Sequence, residues 1–537
     1  MKKLPSFVQT KPLGWSSAAA VTYCVFLASS LFAAPHPESK WRPEPTNGDW
    51  NLAANWVPGV PNAENAQALF NFSTVTNITT SSTLLHSINF EPGASEFTFD
   101  GIFTFNAGGV LNSSGVMQTF NGPCTFKNGA TAGDLVTYNN SEGKTIYFQK
   151  GTSGGSATFV NSGLIRLDGG LRSADFTTAG EGTYYNDGAM RFHKADGGNA
   201  TIINNGGTSF GAAGGAIFFA KSGAGFSTII NNGGQVLGGR GAEVSFNRST
   251  ADSATIIAHG GAGPGSGAKI VFRNDSVGGL ARIEVFGNGS LDVSRPDPLD
   301  DSVGSIEGDG LVFLGSSSLD VGGNNLSTTF AGVISDTGGL KDGTGGSLSK
   351  SGSGTLTLTN ENTYTGGTIV SAGALFVNNS AGSGTGSGPV EVDAGMLGGE
   401  GTVAGAVTVG VGNGAGAAFA PGAAVSQIGE FSSMGALAFN ADGLYAAKVN
   451  SSAKTADEAV ADGVTIEAGS RFSLTDIGSG SIPAGTVFVI LNNTSGAPIS
   501  GTFSNLADGA VLTVGANKYQ ADYQGGDGND LTLTVVP

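Results

Sequence analysis

Two groups of carboxylates in this chain have the composition that acid–base chemistry on a sugar requires. Asp292, Asp297, Asp300 and Asp301 fall close to Arg295, and Asp457, Glu458 and Asp462 fall close to Lys454. A carboxylic acid can protonate a leaving oxygen while a second carboxylate activates water, and a neighbouring cation can hold a uronate. The settings of both groups argue against that use. Pro296 and Pro298 flank Asp297, so the first group reads as a linker, and the second reads as a solvated turn.

A third candidate is Gly525-Gly526-Asp527-Gly528-Asn529-Asp530, whose composition resembles the calcium-binding glycine- and aspartate-rich nonapeptide. Asp527 and Asp530 would be its ligands. Calcium takes six or more oxygens, which tandem copies supply by sharing ligands between turns. Only one copy is present, and Thr532 stands where a large apolar residue belongs. A tight turn between Tyr523 and Leu531 is the expectation. His36, His86, His193 and His259 lack metal-ligand spacing to one another or to a cysteine. His193, between Arg191 and Lys194, reads as part of a charged surface. The glycine-rich stretch from Gly260 to Gly267 carries no phosphate-loop Lys-Ser/Thr. No catalytic residue, cofactor site or metal site is therefore assigned.

The elements that must position all these residues announce themselves by a fixed step. Ala200-Thr201-Ile202-Ile203, Ser227-Thr228-Ile229-Ile230, Ala254-Thr255-Ile256-Ile257 and Ala281-Arg282-Ile283-Glu284 follow one another at intervals of 27 residues, and Phe192, Phe219 and Phe246 keep the same interval. Short β-prone runs repeating at this length predict a coiled β-solenoid, with Ile202, Ile229, Ile256 and Ile283 in one inward file. Asn204-Asn205-Gly206-Gly207 and Asn231-Asn232-Gly233-Gly234 mark equivalent corners, where Asn and Gly tolerate positive φ and stacked Asn side chains can hydrogen-bond along the axis. A single coil cannot bury its own apolar face, so neighbours must complete it.

Composition agrees. Of 537 residues 90 are Gly and only 12% are charged, about half the usual share, so Ser, Thr, Asn and backbone must solvate the surface. The net charge of −17 offers no basic footprint for nucleic acid. Lys2, Lys3 and Lys11 precede an apolar run from Ala18 to Ala34, which reads as a signal peptide cleaved near Ala33 or Ala34. Cleavage would remove Cys24 and leave Cys124 without a disulfide partner. Trp41, Trp50 and Trp56 then read as an aromatic cover for the open first coil, the alternative being a platform that stacks on sugars.

Residues 301–425 change character. Gly352-Ser353-Gly354-Thr355-Leu356-Thr357-Leu358-Thr359 leads into Asn362-Thr363-Tyr364-Thr365-Gly366-Gly367-Thr368, then Ala372-Gly373-Ala374-Leu375-Phe376-Val377, and later Phe419-Ala420-Pro421-Gly422. This order closely resembles the autotransporter-associated β-strand repeat. The front end, with Asp49-Trp50-Asn51 and Asn55-Trp56, resembles the starts of exported bacterial proteins that carry it. The resemblance implies a right-handed parallel β-helix of the passenger type. The closing residues Leu533-Thr534-Val535-Val536-Pro537 lack the pattern of a translocator barrel, so none is expected.

The organisation expected is therefore all-β: signal peptide 1–34, Trp-containing cap 35–70, β-helix with 27-residue repeats 71–300, autotransporter-associated repeats 301–425, and a β-rich C-terminal cap 426–537. The function expected is that of an exported structural or adhesive surface protein, a scaffold making multivalent contacts with glycans or proteins. It would act at the cell surface, in the medium or in the periplasm, without an integral membrane domain after cleavage. The alternatives are a polysaccharide lyase or hydrolase and a passenger carried by a separate transporter.

Overall fold

As far as Val333–Ser335, successive coils add strands to two long parallel sheets. The computed structural model describes residues 36–170, 175–294, 301–414 and 416–537. The expected signal peptide, Arg295, Asp297 and Asp300 lie outside them. The fold is that of the unit Pro37–Pro537. Its first face begins with Glu38–Trp41 and Gln67–Phe70 and ends at Val333–Ser335. Its second face is an unbroken parallel ladder of 18 strands from Asn77–Thr79 to Arg471–Asp476. At about 4.8 Å per strand that ladder is about 80 Å long. The protein is a parallel β-helix.

The change of character at residue 301 has a structural meaning. Up to that point the third side of each coil is a bend that touches its neighbour through single bridges, such as Asp196 to Gly223 to Thr250 to Val277. From Asp301–Val303 onward it is a true strand, in an eight-stranded parallel sheet that runs to Val464–Ile466. The first face loses its strand after Val333–Ser335, and the side-chain amide of Asn362 takes over. The Ile334 N–H donates to Asn362 Oδ1 at 2.7 Å, and Asn362 Nδ2 donates to the Gly384 carbonyl at 2.6 Å. The asparagine of the Asn-Thr-Tyr turn thus stands in for a strand.

In-register stacking puts like on like. Phe99, Phe120, Tyr138, Phe159 and Tyr184 form one inward stack with ring centroids 4.5–5.2 Å apart. Ile202 pairs with Tyr184 on the next coil, and Ile229, Ile256 and Ile283 follow in register, all fully buried. On the first face Phe192, Phe219, Phe246 and Phe272 stack at 4.3–4.9 Å. Flat rings suit this arrangement because the strand spacing nearly equals an offset-stacking distance. Cys124 is buried among these rings, and burial pushes its thiol well above the usual range, which keeps it protonated and inert.

A second device runs parallel to the core. Asn140, Asn161, Asn186, Asn204 and Asn231 occupy one corner on five successive coils, all buried. Each donates Nδ2–H to the Oδ1 of the next, at 2.6, 2.6, 2.7 and 2.8 Å. The ladder stops where Ala258 replaces the next asparagine.

Both ends are closed by packing. Trp41, Trp50 and Trp56 are 3%, 0% and 1% exposed and interlock at 4.7–5.0 Å. Trp56 Nε1 donates to the Trp50 carbonyl at 2.7 Å, and Trp50 Nε1 to that of Pro61 at 3.2 Å. No ring face is left for a sugar, so these three cannot form the stacking platform. At the other end the parallel ladders cross residue 426 without a break and continue to Val487–Asn493. From there the sheet closes with antiparallel partners, Asp530–Val536, Asn517–Gly525 and Val511–Val514. The closing part is shorter than the expected 426–537 module, because residues 426–493 still have parallel partners to extend.

Candidate functional site

Of the carboxylates singled out from the sequence, Asp292 and Asp457 are structural anchors, while Asp297 and Asp300 lie outside the described residues. Asp292 is buried; its Oδ1 accepts from the N–H and hydroxyl of Ser294 at 3.0 and 2.6 Å, and its Oδ2 accepts from the Leu340 N–H at 2.7 Å. It ties a later loop to the first face. Asp301 is buried at the head of its strand.

The second group is not a solvated turn. Asp457 is fully buried, and its partner is Lys448 at 2.7 Å, not Lys454. Leu444–Ala461 contains a small antiparallel hairpin in which Val449 faces Ala456 and Asn450 faces Thr455. That pairing sets Lys448 opposite Asp457 and leaves Lys454 at the exposed tip with φ near +60°. Asp457 also accepts from the N–H groups of Gly429 (3.0 Å) and Lys448 (2.8 Å), and Lys448 Nζ donates to the Pro421 carbonyl. Burial pushes the Asp457 carboxyl up, while the ammonium and N–H donors pull it back. Glu458 accepts from Asn492 Nδ2 at 2.9 Å. Asp457 is sealed from any substrate, whereas Glu458 is half-buried and Asp462 is exposed, apart from the buried pair.

Asp527 and Asp530 lie in the hairpin that joins Asn517–Gly525 to Asp530–Val536. Asp530 is 6% exposed and its Oδ1 accepts from the Asn493 N–H at 2.8 Å. Among the described residues no three His, Cys, Asp or Glu side chains come together as a metal-binding group.

The polar chemistry that does face outward sits on the first face. Arg166 Nη2 lies 2.7 Å from Asp168 Oδ2, the Tyr147 hydroxyl donates to the same carboxylate, and the guanidinium sits 5.2 Å over the Tyr147 ring. His193 Nδ1 is 3.8 Å from Asp168 Oδ1. Sequence spacing did not reveal this group, since its members come from three successive coils. Partial burial and the Asp168 carboxylate push the Tyr147 phenol up, the wrong direction for a base that must lose its proton.

The second face carries a different pattern. Thr98, Thr119, Thr137, Thr158, Thr183, Thr201, Thr228 and Thr255 stack in unbroken register on eight successive coils, half-exposed. Beside them run Val160, Tyr185, Ile203, Ile230 and Ile257. At the corner after the first face a third file appears. Lys194, Lys221 and Arg248 each adopt φ near +50° on consecutive coils. The next residues explain the corner: Ser222 Oγ accepts from the Ala195 N–H, Ser249 Oγ from Ser222, and Ser276 Oγ from Ser249, each at 3.2 Å. The serine chain fixes the turn, and the left-handed residue before it projects its side chain outward.

These observations define a class: a parallel β-helix whose outward residues repeat coil after coil. Residues 348–376 match the passenger-associated-transport-repeat family. That segment contains Thr355–Leu358 and Thr368–Val370 and most of Ser347–Lys350 and Ala374–Val377, so one match spans one coil and the start of the next. Within it Lys350 is buried and donates to the carbonyls of Ser351, Gly352 and Ala372, and burial holds its ammonium below the usual lysine range. The chain therefore carries an autotransporter passenger-type repeat, the mark of an exported protein. No curated protein matches it. Among the described residues no helix is long and apolar enough to cross a membrane.

Proposed function

We propose that this protein is an adhesive scaffold at the cell exterior, whose repeated outer files make many weak contacts with surface glycans or proteins. The observation that carries this reading is the threonine file. Eight identical hydroxyls at one strand spacing offer a polymeric ligand the same contact eight times over, and linked weak contacts gain affinity steeply with ligand length. The rigid ladder means that little ordering cost opposes binding.

A second reading, polysaccharide cleavage, has one observation in its favour: the Tyr147, Arg166, Asp168 and His193 group on the outer surface. One experiment separates the two. The purified chain is incubated with a panel of neutral and acidic polysaccharides and assayed for binding, for new reducing ends and for unsaturated uronate absorbance. The expected result is binding without turnover, at least tenfold weaker for short oligosaccharides than for the polymer. Turnover that disappears in Tyr147→Phe would establish the enzyme instead.

The scaffold is proposed to need no bound ion. Because Asp530 is already engaged with Asn493, a calorimetric calcium titration is expected to give no binding heat. Heat that vanishes in Asp527→Ala/Asp530→Ala would assign a calcium site to the hairpin.

A further inference from the structure

The serine chain accounts for the turn, but not for the cations that Lys194, Lys221 and Arg248 place on it. A left-handed conformation is disfavoured for any residue with a Cβ, and Gly, Asn or Asp are its usual occupants. On other coils the corner holds Asn128, Lys150 and Asn274, with φ of 53°, 49° and 47°, and Gly169 directly before the file. Yet three consecutive coils place cations there, in a chain with only 25 Lys and Arg among 537 residues. Strand spacing holds these positions about 4.8 Å apart along the axis, so the file stacks like charges that repel one another. Among the described residues none of the three has an ion-pair partner.

Lys221 and Arg248 line a groove with Phe176, Ser222, Ser249 and Val277, and Lys194 extends the file one coil beyond it, next to the lining residue Ala195. Phe176 is 53% exposed, an apolar ring beside the cations. Asp275 also lines the groove and is its one acidic residue among those described.

We infer that this groove binds an acidic polysaccharide laid along the helix axis, its carboxylate or sulfate groups on Lys194, Lys221 and Arg248 and a sugar ring against Phe176. The inference rests on the scaffold reading and names the ligand class for one of its files. Spaced anions relieve the stacked positive charges one by one, and the exposed ring suits the C–H face of a pyranose. Nucleic acid fits less well: its charge density is far higher, and it would meet the repulsion of a chain with net charge −17.

The test uses polygalacturonate and dextran sulfate as ligands, uncharged dextran as control, and binding measured across a salt series. The variant Lys194→Asn/Lys221→Asn/Arg248→Asn keeps residues that accept the left-handed turn. It is expected to fold, checked by an unchanged circular dichroism spectrum and melting temperature. Its affinity for both polyanions should fall at least tenfold, and the slope of log affinity against log salt should flatten by about two to three. The variant Lys341→Asn/Lys454→Asn/Lys518→Asn removes three exposed cations elsewhere and should bind as the parent does. Equal losses in the two variants, or no polyanion binding by the parent, would overturn the assignment. So would tighter binding of single-stranded DNA than of polygalacturonate. Retained binding to neutral glycans or proteins would leave the scaffold reading standing in each of these cases; loss of all multivalent binding would remove both.

Discussion

Asp457→Ala is expected to destabilise the C-terminal coils by about 3–5 kcal/mol, the cost of leaving a buried cation without its counter-ion. Lys448 is 7% exposed at its side chain, and apart from Asp457 it has the Pro421 carbonyl. The substitution also orphans the N–H groups of Gly429 and Lys448, which Asp457 now accepts. Hydrogen exchange is the right measurement, because long repeat arrays need not unfold in one step. Protection should fall across the hairpin from Gly443 to Ala461 and leave the coils around Ile202 unchanged. The double variant Lys448→Met/Asp457→Leu should recover most of the loss, since an apolar pair removes the unpaired charge. Single and double variants with equal stability would show that the ion pair has no such role.

Asn204→Ala is expected to cost about 2–5 kcal/mol, and Asn231→Ala roughly half as much. Asn204 is interior to the ladder: its loss leaves the Asn186 amide only the Gly188 carbonyl at 3.3 Å, and takes the side-chain donor from Asn231 Oδ1 and from the Glu243 carbonyl, to which Asn204 Nδ2 donates at 3.1 Å. Asn231 is the last rung, and its own amide reaches only the Ile257 carbonyl at 3.3 Å. The next coil already has Ala258 at this corner, so the fold accommodates a methyl group where the ladder ends. Thermal melts with site-resolved exchange would rank the two. Equal effects would mean that each rung acts alone, without the shared partners that make an interior position costlier.

The two cases differ in how far the sequence disclosed them. The asparagine corners could be read directly, because Asn204 and Asn231 recur at the coil length. The same applies to Phe192, Phe219 and Phe246, and to the isoleucine file. Lys194, Lys221 and Arg248 share that interval too, but net charge averages over the whole chain and hides a local file. The Lys448–Asp457 pair gave no such signal. Asp457 lies nearer in sequence to Lys454, and only the hairpin pairing shows which lysine faces it.

Some contacts reach well beyond a single step. Asp292 holds the N–H of Leu340 across 48 residues, and the outward group of Tyr147, Arg166, Asp168 and His193 gathers from coils of unequal length. Sequence alone does not mark the end of the parallel stack, because the strands after residue 426 are β-prone whether their partners are parallel or antiparallel.

By itself the sequence determined the repeat, and with it the solenoid, its inward files and its corners. A constant interval maps each residue onto its counterpart one coil away, so stacking follows from counting. The tertiary structure alone decided which side chains meet across unequal coils, which carboxylates are sealed inside, and where the backbone stops finding parallel partners. Those outcomes depend on loop lengths and strand pairing, which bring together residues that no fixed interval relates.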